Sequence, residues 1–372
     1  MNHRDCFSRI LACQTANWIP NYELGCWAQT VARWRQEGLP SDSNVGKNNM
    51  FDGEPFFGID KRSFARLDIT MIPKYEYEIF EETDRYLTAR HRNGIVTKAL
   101  KEGSLDGTRM SMDTYIDFPV KDRASWREVQ KRYDPTDPAR YPPDWQEKIT
   151  AWRNRDYPLC LLDNGSFGLY SQLRSWVGTE NISYMFYDQP ALVEEMLEFN
   201  TDFLLALIEP ALKDIEYDYF NFFEDCAGKS TPLFGPNIFN RFFMKHYRRI
   251  IDRLERAGIK SFWVDSDGDP EVLVPLWMDA GINCFWPLEQ ASDMDPVRLR
   301  KKYGNHLALC GGIDKRKIAA GKKSIEDELN AKIPAMLESG GYIPHIDHAI
   351  PPDISYSDFL YYLEIKRKLI GR

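Results

Sequence analysis

The sequence contains no Cys-x-x-Cys pair, no glycine-rich dinucleotide fingerprint, no internal repeat and no basic stripe. It also lacks any run of the ~18 uncharged apolar residues needed to span a bilayer. Each absence excludes something. Seven cysteines (6, 13, 26, 160, 226, 284 and 310) stand too far apart for a zinc knuckle or a secreted disulfide framework, so reduced thiols are expected. Met-Asn-His-Arg-Asp at the start leads into no apolar signal core, and the expected location is cytoplasmic, with no membrane contact. A net charge of -8 and a pI near 5.5 argue against nucleic acid as a partner. The basic clusters Arg248-Arg249 and Lys366-Arg367-Lys368 read as solvated helix faces.

What is present is apolar bulk and a rhythm. Apolar residues make up 43% and aromatics 13% of 372 residues, enough for one large barrel or two smaller domains. Residues 1–150 carry a helix over 24–37, an Asn/Asp/Ser/Gly-rich loop over 41–55 and an alternating strand over 66–72. A hairpin follows, with arms 87–91 and 95–99 around Arg92-Asn93-Gly94, and then a short helix over 124–132. From Tyr157 onward, strands near 159–162, 217–223, 260–264, 282–286, 307–310 and 341–345 alternate with helices. The helices fall near 190–213, 237–257, 270–280, 295–303, 324–338 and 355–369. Asp269-Pro270 and Asp295-Pro296 place proline in a first helical turn, where it is tolerated. Such units in series predict an α/β fold, a (β/α)8 TIM barrel with N-terminal elaborations. The reading is a single domain over 1–372, with 1–150 carrying the extra helices and the hairpin.

The apolar runs end in Phe223-Glu224-Asp225, in Val264 through Asp269, in Leu288-Glu289, in Gly311 through Asp314 and in His345-Ile346-Asp347-His348. Carboxylates are costly to desolvate without a partner, yet here they collect where parallel-sheet proteins bind ligands. Asp265 and Asp267 alternate, so they share one face if the strand continues, and His348 joins them from a later strand end. That set suits zinc with an open position; the competing reading is helix capping. Glu224 and Asp225 read as base, ligand or hydroxyl acceptor, or else as cap and salt bridge. His345 and His348 flank Asp347, which could orient either imidazole. His246 and His306 lack such company and read as packing or surface residues, and Cys226, Cys284 and Cys310 as packing.

These residues resemble the uroporphyrinogen decarboxylase superfamily. The likeness runs through Glu224-Asp225, Asp265-Ser266-Asp267-Gly268-Asp269, Glu289, Met294-Asp295-Pro296, Gly311-Gly312-Ile313-Asp314, Gly340-Gly341-Tyr342-Ile343 and Asp347 through Asp353. Near the start, Ile19-Pro20, Trp27, Thr30, Arg33-Trp34 and Glu37-Gly38-Leu39-Pro40 look like the superfamily's decarboxylase-like members. The resemblance implies a (β/α)8 barrel with its site at the carboxyl ends of the strands.

True decarboxylases of the superfamily carry an Arg-Gln-Ala-Gly-Arg run that clamps the porphyrinogen carboxylates. Here the stretch reads Gln14-Thr15-Ala16-Asn17-Trp18-Ile19-Pro20, without either arginine, so the forked donors for several carboxylates are missing. The thiol-using methyltransferases bind zinc through His-x-Cys and a distant cysteine, and Asp265, Asp267 and His348 stand at the matching positions. Carboxylate and imidazole leave zinc more electrophilic than thiolates do, which suits an oxygen or nitrogen substrate such as a methyl ether.

The expectation is a zinc-dependent methyltransferase or demethylase passing methyl to a corrinoid on a carrier protein. Its metal ligands would be Asp265, Asp267 and His348, and its catalytic residues Glu224, Asp225 and His348. Asn164, Trp263, Glu289, Asp314 and His345 would contact the small-molecule substrate. A homodimer is compatible with this reading. The alternatives are a metal-free carboxy-lyase on another carboxylated substrate and a non-catalytic tetrapyrrole or corrinoid binder.

Overall fold

Short apolar runs joined by amphipathic stretches return on the same side of a sheet, so their strands run parallel. The computed structural model describes residues 1–46, 51, 53–106 and 108–372. Its strands are β1 (Ser63–Ala65), β2 (Glu78–Glu82), β3 (Tyr86–Arg90), β4 (Val96–Leu100), β5 (Thr114–Asp117), β6 (Leu159–Leu161), β7 (Tyr219–Phe223), β8 (Ser261–Asp265), β9 (Cys284–Trp286), β10 (Ala308–Cys310) and β11 (Tyr342–Ile343). Strands β1 and β6 to β11 form one seven-stranded parallel sheet in chain order. The register pairs Phe223 with Asp265 and Asp265 with Trp286, which sets the ends of β7, β8 and β9 side by side.

The helices between these strands fall where the periodicity puts them. Pro190–Asp214 buries Leu192, Val193, Met196, Leu197, Phe203, Leu204, Leu207 and Ile208 along one side. Met244–Arg256, Val274–Ala280, Pro296–Tyr303, Lys322–Glu338 and Tyr356–Leu369 follow. Asp295 caps its helix by accepting from the Arg298 amide. Further helices, at His3–Leu11, Trp145–Arg153, Tyr170–Val177 and Thr179–Asp188, carry no strong sequence signal. Inside the sheet, Phe7, Tyr219, Trp263 and Trp286 pack ring against ring.

The N-terminal third departs from expectation in two ways. Residues 66–72 form no strand. Leu67, Ile69 and Met71 are indeed buried, but the backbone bonds to an irregular neighbour, Asp68 N–H to Arg140 O and Ile72 N–H to Arg132 O. The hairpin is present as β3 and β4, with Ala89 opposite Thr97, and β2 and β5 extend it to a four-stranded antiparallel sheet. Of the loop expected over 41–55, residues 47–50 and 52 lie outside the described residues; the rest contains no helix or strand.

The N-terminal segment bonds to the chain just before β1 and to the chain after β11, the two edge strands of the parallel sheet. Asp60 N–H donates to Asn21 O, while Ile350 N–H donates to Gly25 O and Trp27 N–H to Ile350 O. Among the described residues, no helix is long and apolar enough to cross a membrane.

Candidate active site

Strand ends place the chemistry. At the ends of β8 to β11 a cavity of about 540 Å³ opens between Asp267, Glu289, Lys315 and His348, walled by Trp27, Ala319, Ala349 and Pro351. The lining combines these charged groups, with Arg316 and Asp353, and apolar side chains.

His348 Nε2 lies 3.5 Å from Asp267 Oδ2. That pairing raises the imidazole above its ordinary value, and burial only partly opposes it. Asp265, two residues back, is half-buried at the end of β8. Burial pushes its carboxyl well above the usual range, and repulsion from Asp267 and Asp225 adds to the effect. Gly268 then turns the chain at φ +77°; a Cβ there would come within 2.4 Å of Gly228 O. The turn aims the Gly268 N–H at Glu289 Oε2, 3.0 Å away.

Lys315 closes the other side. Its ammonium sits 3.5 Å from Glu289 Oε1 and 3.8 Å from Asp347 Oδ1. Asp347 itself is fully buried and accepts the amides of Gln290 (2.8 Å) and Lys315 (3.1 Å). It therefore ties the ends of β9, β10 and β11 together. Burial raises its carboxyl, opposed by Lys315 and the two amides.

Four residues expected at the site are engaged by contacts within the fold. Glu224 is buried and accepts from the amides of Leu169, Tyr170 and Ser171 and from the Tyr247 hydroxyl. All its donors are structural, and it anchors the start of helix Tyr170–Val177. Trp263 is a core residue among Phe7, Tyr219 and Trp286, its indole N–H spent on Ser261 Oγ. Asp314 caps the turn Lys315–Ile318 and pairs with Arg316 at 2.7 Å; burial alone would raise its carboxyl, but Arg316 outweighs that and holds it low. His345 is enclosed, with Nδ1 2.7 Å from Ile346 O, and burial pushes it down to about 3, so it stays neutral.

Asp225 stands apart from His348. It pairs with Arg174 and lines a second cavity, of about 340 Å³, with Tyr115 and Phe118. Asn164, on the loop after β6, keeps both side-chain amide atoms buried with no hydrogen-bond partner among the described residues. His246 is buried against Thr201, and His306 lies on the surface. Among the described residues no group of three His, Cys, Asp or Glu side chains converges to hold a metal.

A family model described as uroporphyrinogen decarboxylase (URO-D) matches residues 115–368. The chain belongs to the uroporphyrinogen decarboxylase family. A search among curated proteins found no match. A solved structure described as a methyltransferase from Methanosarcina mazei shares the fold, with a TM-score of 0.63 over 99% of this chain and 98% of that one, at 13% identity. The region matched to the uroporphyrinogen decarboxylase family holds every cleft residue except Trp27, while β2, β3 and β4 lie outside it.

Lys315 is not singled out in the sequence, and Trp27 belongs there to the family resemblance without being placed at the site. Lys315 directly follows Gly311-Gly312-Ile313-Asp314, so the strand-end rule that picked out Asp314 could have reached it.

Proposed function

We propose that the chain is a methyltransferase of the uroporphyrinogen decarboxylase family, removing a methyl group from an oxygen or nitrogen of a small molecule held in the cleft. The His348–Asp267 pair beside an apolar wall carries this reading. An ether or amine leaves as a strongly basic anion unless it is protonated. His348, favoured as imidazolium by Asp267, supplies that proton, and Trp27, Ala349 and Pro351 cover the carbon body of the substrate. The methyl–heteroatom bond breaks with its electron pair staying on the heteroatom, which takes the proton. The methyl carbon bonds to an incoming nucleophile. We propose a corrinoid on a carrier protein as that acceptor, the acceptor that the sequence's resemblance to the superfamily's methyltransferases implies. We further propose that residues 21–27, bonded to Asp60 just before β1 and to Ile350 after β11, complete a (β/α)8 barrel.

Zinc at Asp265, Asp267 and His348 is a separate proposal. The donors as they stand do not fit a three-ligand site, so binding requires their side chains to swing together, and no step above passes through a metal. Elemental analysis after zinc loading and dialysis should find one zinc per chain, lost in His348→Ala. Absence of stoichiometric zinc removes the metal and leaves the proton-transfer role standing.

The activity test is methyl transfer from aryl methyl ethers and methylamines to free cob(I)alamin. His348→Ala and Asp267→Asn should each slow it by ~100-fold or more at unchanged unfolding temperature. Full activity in His348→Ala overturns the assignment. One observation favours a second reading. Lys315, only loosely paired with Glu289 and Asp347, offers a cation to a substrate carboxylate, as a metal-free carboxy-lyase would need. Release of carbon dioxide from a carboxylated substrate, abolished in Lys315→Ala, would select it.

A further inference from the structure

A cavity of about 410 Å³ lies at the tip of the β3–β4 hairpin, facing the loops that follow β1 and β6. It shares no lining residue with the Asp267–His348 cleft. In a chain with a net charge of -8, Lys74, His91 and Arg92 line it, and none of its lining residues is Asp or Glu. Asn93 lines it as well, whereas Ser166 Oγ already donates to Asp163 O and the Gln172 amide to Ser175 Oγ.

The charges here are weakly committed. Lys74 is exposed and 3.8 Å from Asp68, a loose pair. Arg92 is exposed and has no ion-pair partner among the described residues. His91 Nε2 is 2.8 Å from Thr97 Oγ1, and that hydroxyl donates onward to Asp113, which is paired with Arg109. Thr97 has one proton to give, so it accepts from His91 and fixes the ring proton on Nε2; Nδ1 of the neutral ring is then an acceptor, and the donors to an anion are Lys74, Arg92 and Asn93. Asn93 Oδ1 accepts the Ile95 amide at 3.1 Å, which leaves its amide N–H₂ as a donor.

The backbone holds these groups in place. Tyr75 N–H donates to Arg92 O, and Gly94 N–H to His91 O, both at 2.9 Å. Gly94 takes φ +85°, and a Cβ there would meet the Tyr75 ring at 2.8 Å, so the hairpin tip is pinned against the chain that carries Lys74. Asn164, with its buried and unbonded side-chain amide, lies two residues before Ser166 on the facing loop.

We propose that this cavity is an anion site that takes the carboxylate or phosphate group of a small organic molecule. Clustered guanidinium, ammonium and amide donors, with no carboxylate among the lining residues and Asp68 only loosely paired with Lys74, are what such a group requires. The site stands independently of the methyl-transfer reading, and its hairpin lies outside the region matched to the family.

Titration calorimetry at low ionic strength, with inorganic phosphate and with citrate as probes, tests it. Saturable binding of at least one probe is expected. Lys74→Ala combined with Arg92→Ala should weaken it by about tenfold or more, since exposed charge pairs act at short range and added salt screens them. Both side chains are exposed, so the fold should be unaffected. Tighter binding of phosphate would identify a phosphate ester as the ligand class, and tighter binding of citrate a polycarboxylate. Lys315→Ala, in the other cleft, should leave binding unchanged. No saturable binding of either probe, or loss on Lys315→Ala with none on the double substitution, overturns the proposal.

Discussion

Glu224 shows what burial does to a single carboxylate that the fold engages. Burial pushes it up from an ordinary 4.5 to about 7, even though three amides and the Tyr247 hydroxyl favour the charged form. The folded chain therefore binds this proton more tightly than the unfolded chain does. Its contribution to stability is fully present below about pH 4.5 and is lost as pH rises through 7, on the order of 3 kcal/mol in all. Unfolding temperatures of the native chain and of Glu224→Gln, compared between pH 5 and 8, should show the native chain losing ground steadily. A flat difference would mean that Glu224 does not titrate there. The sequence located such carboxylates well, since apolar runs ending in acid stand out. It could not say which way each one turns. Asp267 and Glu289 face the cleft, whereas Glu224 and Asp314 turn back onto helix starts, a choice made by local backbone direction. Lys366 hid for a related reason. Among Arg367 and Lys368 it looked solvated, yet it is fully buried.

Elements were legible where period and length agreed. The long helix Pro190–Asp214 and the strand–helix units after it match their expected positions closely, because each buries a continuous apolar stripe. Residues 66–72 alternate as a strand would, but alternation reports burial and not the presence of a neighbouring strand. The outer strands β2 and β5 were missed because both are largely exposed, so no face of either reads as apolar. The link between β6 and helix Tyr170–Val177 is the tightest of these connections. A Cβ on Gly168 would stand 1.9 Å from Phe223 O and 3.1 Å from Glu224 Oε2. The nearer obstacle is backbone in the central sheet and cannot swing aside. Gly168→Ala should therefore destabilise the chain by about 3 kcal/mol through overpacking, read by denaturant unfolding. A loss below ~0.5 kcal/mol would show that the loop relaxes freely.

At the scale of the whole molecule, the two chain ends are joined through a buried ion pair. Lys366 from the last helix donates to Glu23 Oε1 at 2.6 Å and to Tyr22 O at 2.8 Å. Tyr362 donates to the same carboxylate oxygen at 2.5 Å, and the Ile346 amide reaches the other at 3.1 Å. Glu23 thus links the N-terminal segment, the chain just after β11 and the C-terminal helix, across the gap between the sheet's edges. Burial lowers Lys366, and the Glu23 carboxylate beside it opposes that shift. Removing one partner leaves a desolvated charge, which costs more than the pair contributes when intact. Lys366→Met should destabilise the chain by roughly 3–5 kcal/mol, and Glu23→Gln by a similar amount. The double substitution should cost clearly less than the two losses added together, because no unpaired charge remains. Denaturant unfolding of all four proteins measures that coupling directly. Losses that simply add would show that Glu23 and Lys366 act separately, and that hydrogen bonds from Tyr362 and the backbone, not the ion pair, hold the chain ends together.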